Sequence, residues 1–141
     1  MHDIIVIGGG PAGLTAALYA LRAGKSVLVI EKSTFGGQIT WSPKVENFPG
    51  IPSVSGAELG DKFTAQALDQ GAELELDEVT SVELDGDIKR VKTDFGGTFE
   101  AKALIIASGA RPRTLGIPGE EPASASAPCA TVRFTRAGRS P

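Results

Sequence analysis

Apolar positions in the first part of the chain fall into two short unbroken runs with a helical stretch between them. DIIVI at residues 3–7 runs straight into three glycines, and SVLVI at residues 26–30 closes on Glu31 and Lys32. Unbroken runs of this length predict strands buried on both faces, as in a parallel sheet. Between them, Pro11 suits the first position of a helix, residues 12–23 are rich in Ala and Leu, and Gly24 supplies a stop. The pattern predicts a strand–helix–strand unit with a right-handed crossover.

Residues 33–55 show no period and carry three prolines and three glycines, a long connection of the kind that usually has a function. Ser55-Gly56-Ala57-Glu58 has the spacing of a capping box, and the segment up to Gln70 predicts an amphipathic helix stopped by Gly71. Over residues 73–101 the pattern changes to short alternating strands. The punctuation Asp85-Gly86-Asp87 and Phe95-Gly96-Gly97 predicts a small antiparallel meander. The charges over residues 77–87 are expected on a solvated hairpin. ALIIA at residues 103–107 predicts another fully apolar strand, expected with residues 4–7 to be central in the sheet. Trp41 and Phe48 are expected to cover the core, and His2, at a fraying terminus, is assigned no role. After Pro118-Gly119 every period stops.

A chain of 141 residues has the size of one domain. A net charge of −3 leaves no footprint for nucleic acid or an anionic membrane. No apolar run is long enough to span a bilayer, and the start lacks a basic leader and cleavage site, so a cytoplasmic location is expected. The single cysteine, Cys129, excludes an internal disulfide and a four-cysteine metal site. No metal is expected.

The chemistry sits in the glycines. Gly8, Gly10 and Gly13 spell G-x-G-x-x-G between a buried strand and a helix, and Glu31 ends the next strand 18 residues after Gly13. In a dinucleotide-binding unit Gly8 permits the tight turn, Gly10 lets backbone approach a pyrophosphate, and Gly13 lets helix pack close on strand. The helix start then presents free N–H groups and positive potential to the phosphates. Glu31 can accept hydrogen bonds from ribose hydroxyls, and its charge opposes a 2′-phosphate. Gly36, Gly37 and Gln38 soon after the acid, Asn47 in VENFPG, the meander, and a strand ending in Ala107-Ser108-Gly109-Ala110 favour FAD over NAD. A plain NAD domain continues with alternating helices and strands instead.

These pieces together resemble the low-molecular-weight thioredoxin reductases of the pyridine nucleotide–disulfide oxidoreductase superfamily. They are VIGGGPAGLTAALYALRAG, Glu31, GGQIT at residues 36–40, VENFPG at residues 45–50, GAEL at residues 56–59 and ALIIASGARPR at residues 103–113. The likeness covers residues 1–119. It implies an α/β, three-layer Rossmann-like FAD/NAD(P)-binding fold with a parallel sheet and a small antiparallel β-meander, incomplete at the C-terminus. It further implies pyrophosphate contacts at Gly8, Gly10, Pro11, Ala12 and Gly13, and ribose contact at Glu31 with Lys32 beside it. Flavin-side contacts are implied at Gly37, Gln38 and Asn47, adenine contact by the backbone at Val79, and a second close approach at Ala107, Ser108 and Gly109. Ser108 stands where the family has Thr in A-T-G and keeps the hydroxyl.

The resemblance also implies electron flow from NADPH through FAD to a C-x-x-C pair and on to thioredoxin, in a homodimer general to the family. One thiolate of such a pair attacks while the other resolves the mixed disulfide. No such pair and no second G-x-G-x-x-G occur in these 141 residues. No catalytic residue is assigned, and NADPH is expected only for a full-length relative.

The last segment, PASASAPCATVRFTRAGRSP at residues 122–141, has no acidic residue and includes Arg133, Arg136 and Arg139; residues 120–141 are expected to be disordered. Regrouping its codons by taking each third base with the next two allows G-V-S-F-C-A-V-C-D-G-A-F-Y-K-G-R-T-V-A. That is how a thioredoxin reductase continues. The expectation is a frameshifted tail after an N-terminal FAD-domain part that is inactive alone, retains little or no FAD and exposes an apolar face. A standalone flavin- or nucleotide-binding module is the alternative. A relative without the cysteine pair, such as a ferredoxin–NADP reductase, is a third reading, and the shifted C-A-V-C-D-G argues against it.

Overall fold

A computed structural model describes residues 1–110. The expected tail and the segment from residue 111 onward lie outside the described residues. In chain order the elements are β1 (His2–Ile7), α1 (Pro11–Arg22), β2 (Val27–Glu31), a 3₁₀ helix (Gly37–Trp41), α2 (Gly56–Asp69), β3 (Glu73–Leu76), β4 (Val79–Asp85), β5 (Ile88–Thr93) and β6 (Thr98–Ile106).

Both α-helices stop by the same device. Gly24, at φ +75°, lets the N–H of Lys25 reach the carbonyl of Ala20 and its own N–H reach Leu21. Gly71, at φ +93°, does the same for Ala72 with Ala67 and for itself with Leu68. In each case a left-handed residue satisfies carbonyls that a helix end leaves bare. At the other end of α2, the Ser55 hydroxyl accepts the N–H of Glu58 at 3.1 Å, as its spacing predicts.

One six-stranded sheet runs in the order β3-β2-β1-β6-β5-β4. The first four strands are parallel and the last two join antiparallel. Alternation along β1 and β2 sorts their side chains to two faces. Val6, Val27 and Val29 pack with Ala17 under α1, while Ile5, Leu28 and Ile30 pack with Val91 and Ala101 beneath the meander. Helices, parallel sheet and meander thus form the expected three layers. Leu14, Ala67 and Ala72 join α1 to α2.

Two expectations about strand membership need correction. The strand at Glu73 belongs to the parallel sheet beside β2, with Leu74 opposite Val29, and not to the meander. The strand at residues 103–107 is the second half of β6, which runs unbroken from Thr98. Ala101 pairs with Lys89 on one side and His2 on the other, so one strand serves meander and parallel sheet in turn. As predicted, β1 and β6 are central. His2, expected at a fraying terminus, is placed within β1, its Nδ1 3.9 Å from a Glu73 carboxylate oxygen. Trp41 is 58% exposed and does not cover the core, whereas Phe48 lies edge-on to Phe63. Ile106, 75% exposed, lies at the end of β6, where an apolar face is expected. No described helix is long and apolar enough to cross a membrane.

The strand beginnings are pinned by Asp3. Its carboxylate accepts the N–H and hydroxyl of Ser26 at 3.0 and 3.1 Å and pairs with Lys102 at 2.8 Å, tying β1 to the chain entering β2 and to β6. The Lys102 ammonium first, then the Ser26 backbone and hydroxyl donors, hold the Asp3 carboxyl well below the usual carboxylate range. A depressed folded-state pKa adds stability above the unfolded value of about 3.9 and loses it as pH falls through the folded value. Asp3→Asn is therefore expected to lower the melting temperature at pH 7 and to narrow its difference from wild type as the buffer is taken below pH 4. Thermal melts across that range check it.

Candidate functional site

The carboxyl ends of β1, β2 and β6 and the β3–β4 connection surround a cleft of about 380 Å³. It opens where the chain, having placed β2 and β3 on one side of β1, places β6 on the other. Such a switch point leaves a crevice past the strand ends. The cleft brings together Gly8, Glu31, Lys32, Val79, Ser108 and Gly109, six of the residues expected from sequence.

Gly8 has φ +108°, and a Cβ there would lie 2.2 Å from the Ala107 carbonyl oxygen. The turn after β1 and the end of β6 therefore touch backbone to backbone, and Ala107 donates its N–H to Ile7 at 2.8 Å. A Cβ on Gly13 would meet the Gly8 carbonyl oxygen at 1.9 Å, so α1 rests directly on the loop. Gly10 differs. Its φ of −78° and ψ of −177° suit any residue, and an added Cβ would have only Gly37 Cα within reach, at 3.8 Å. Neither conformation nor a neighbouring described residue requires glycine there.

Among the described residues no side chain caps the start of α1, and its first turn holds no acid. Pro11 lacks an N–H, and Leu14 is the first residue to donate back, to Gly10 at 2.9 Å. The N–H groups of Ala12 and Gly13 precede any carbonyl that the helix can offer them. With the helix dipole, this end complements an anion.

Glu31 braces the loop from the end of β2. One carboxylate oxygen accepts the N–H of Gly9 at 2.8 Å, and the other accepts the N–H and hydroxyl of Ser33 at 3.0 and 3.1 Å. Lys32 reaches across to Glu78, Nζ to Oε1 3.5 Å. Gly37, at φ +64°, presses close to Gly10, since a Cβ on Gly37 would lie 2.9 Å from Gly10 Cα. The Gln38 amide donates to the Ala110 carbonyl. The 3₁₀ segment thus stands beside the glycine loop and the end of β6, next to the cleft lining. Asn47 is exposed, between the backbone bridges of Val45 with Val54 and Phe48 with Ile51, and the structure does not bring it to the cleft.

Sequence reasoning missed two residues. Gly9, an "x" of the motif, is buried, and a Cβ there would lie 2.5 Å from the Phe35 ring; an aromatic just beyond the acid was the available signal. Asp77 was assigned to a solvated hairpin, yet it is only 4% exposed and lines the cleft. Its Oδ1 accepts the N–H of Glu78 at 2.7 Å, and both oxygens lie 3.3 Å from the N–H of Phe95. Burial pushes the Asp77 carboxyl up, but the surrounding donors, Thr93 and the Phe95, Glu78 and Asp94 backbones, together hold it below its ordinary value.

Comparisons with known proteins place this geometry. The bifunctional thioredoxin reductase/thioredoxin of Mycobacterium leprae is 50% identical over 122 residues, covering 86% of this chain and 27% of that protein. The thioredoxin reductase of Mycolicibacterium smegmatis is 46% identical over 122 residues, covering 86% and 39%. The crystal structure of Lactococcus lactis thioredoxin reductase superposes with a TM-score of 0.80 at 39% identity, over 85% of this chain and 39% of that one. The chain thus spans less than two fifths of the length of these relatives. The family model described as pyridine nucleotide-disulphide oxidoreductase matches residues 2–140. With the glycine crevice, the sheet order and these relatives in agreement, the chain belongs to the pyridine nucleotide-disulphide oxidoreductase family.

Proposed function

We propose that residues 1–119 are the N-terminal part of the FAD-binding domain of a thioredoxin-disulfide reductase, carrying the pyrophosphate and adenosine side of the FAD site. The observation that carries this reading is Gly10, a glycine that nothing described in the chain explains, beside a helix start whose first N–H groups have no partner among the described residues. The missing side chain leaves room for a phosphate to reach those donors. Gly8, Gly10, Ala12 and Gly13 would hold the pyrophosphate, with Pro11 fixing the helix start. Glu31 would take the ribose hydroxyls, and the backbone at Val79 would face adenine. Gly37, Gln38 and Asn47 would serve the flavin side, and Ala107, Ser108 and Gly109 the second approach. Bound FAD supplies two-electron chemistry between a nicotinamide and a disulfide.

In this reading NADPH, the cysteine pair and thioredoxin belong to the full-length reaction, and the family's homodimer to the full-length protein. Residues 120–141 are a frameshifted tail. Resequencing the gene tests that point: an intact codon run for residues 120–141 with no in-frame cysteine pair downstream would sink it.

The nucleotide site is tested by titrating the purified chain with ADP and with FAD. Saturable but weak binding of both is expected, with no stoichiometric flavin after purification and no NADPH-dependent dithiol reduction. Absence of saturable binding overturns the nucleotide site. A yellow, monodisperse protein with one flavin per chain, or dithiol turnover by the chain alone, overturns the partial-domain reading in favour of a self-sufficient module or enzyme.

A further inference from the structure

The wall of the cleft at Glu78 and Val79 is not part of the glycine crevice. It is the connection between β3 and β4 at Asp77 and Glu78 together with Val79, the first residue of β4, which pairs with Thr93. Three hydrogen bonds hold it. The Asp77 N–H donates to the Glu31 carbonyl at 2.9 Å, continuing the line of β2. The Asp77 carboxylate takes the N–H of Glu78. The carbonyl of Glu78 in turn accepts the N–H of Asp94 at 2.9 Å. The peptide groups on both sides of Glu78 are therefore clamped, and the second clamp comes from the turn between β5 and β6.

That turn is itself shaped around Asp77. Its carboxylate faces the N–H of Phe95, whose ring is 86% exposed, so the backbone of this residue does work that its side chain does not. Gly97 closes the turn where a Cβ would lie 2.6 Å from the Thr93 hydroxyl and 2.8 Å from the Phe99 ring. One buried residue thus joins the end of β2 through its N–H, and the cleft wall and a turn some eighteen residues later through its carboxylate. Its oxygens are held by the Glu78 and Phe95 N–H groups, with Thr93 beside them.

We propose that Asp77 is a positioning residue for the nucleotide. It fixes the Glu78 and Val79 backbone against the turn at residues 94–97, so that affinity on the adenosine side depends on a carboxylate engaged by the protein's own donors. The proposal rests on the nucleotide reading above. A charged acceptor serving two N–H groups cannot be replaced by a methyl, and each unsatisfied buried donor weakens the arrangement. Asparagine keeps one acceptor oxygen and the shape, so it should restore part of the effect.

The test compares the full chain with Asp77→Ala and Asp77→Asn, measuring ADP affinity and residue-resolved amide exchange. Asp77→Ala is expected to weaken ADP about tenfold and Asp77→Asn about threefold, in keeping with one or two lost hydrogen bonds. The amides of Glu78 and Phe95 should exchange faster while those of Val6 and Val29 in the core hold. If Asp77→Ala does not fold, the milder Asp77→Asn carries the same comparison. Wild-type ADP affinity in a folded variant, or unchanged exchange at Glu78 and Phe95, overturns the positioning role. A wild-type chain that fails to bind ADP overturns the nucleotide reading instead, and the exchange arm separates the two failures.

Discussion

Gly13→Ala is expected to melt at least about 12 °C below wild type, a loss of roughly 3 kcal/mol at the midpoint for a domain of this size. The added methyl would sit 1.9 Å from the Gly8 carbonyl oxygen and 3.2 Å from a Val6 methyl. The first obstacle is backbone, which cannot swing aside as the end of a side chain does. Relief requires α1 to lift from the loop or the loop to leave Ala107, and either opens the helix-side core around Val6 and Ala17. Gly24→Ala is the control. Its methyl would meet nothing within 4 Å, and only its φ of +75° opposes the change, a cost of about 1 kcal/mol. Circular dichroism melts of the three chains check the order, and equal melting of Gly13→Ala and wild type would remove the close-packing account of this glycine.

The second large effect concerns binding alone. Gly10→Ala is expected to melt within about 1 kcal/mol of wild type, the range for a changed helix cap. It should nevertheless lose at least about thirtyfold in ADP and FAD affinity, because a methyl takes the room through which a phosphate would reach backbone donors. The two glycines, three residues apart in one motif, thus separate by readout. On this prediction Gly13 serves the fold and Gly10 the ligand. A Gly10→Ala chain that binds ADP as wild type would show that this glycine is not where the phosphates approach.

The crevice was legible in the sequence because its parts are local. DIIVI, GGGPAG and Glu31 lie within one strand–helix–strand unit, where spacing alone brings the pieces together, and both helix stops announced themselves as glycines. What the sequence hid is non-local. ELEL at residues 73–76 alternates like a half-buried strand, and nothing in that alternation chooses β2 over β4 as its partner. Lys102, between Ala101 and Ala103, reads as a break, yet it is the residue that pairs with Asp3, and β6 runs straight through it. Asp77 looked like one more acid in a charged stretch. Its burial depends on a turn whose Phe95 N–H comes back to it while that of Asp94 reaches the neighbouring Glu78 carbonyl, a closure that no local window contains.

Because β6 completes both the sheet and the crevice, it also sets a schedule for synthesis. When β1 leaves the ribosome, its partner on one side is about a hundred residues behind it, as the His2 and Ala101 register shows. At cellular elongation rates that is a wait of roughly 5 to 20 s. During it the β1–β2 pair can fold under α1 while one edge of β1 stays unmatched, a template for any other extended chain. The nascent protein is thus most vulnerable to mispairing in the interval before ALIIA emerges, and a chaperone that shields strand edges would act on it then.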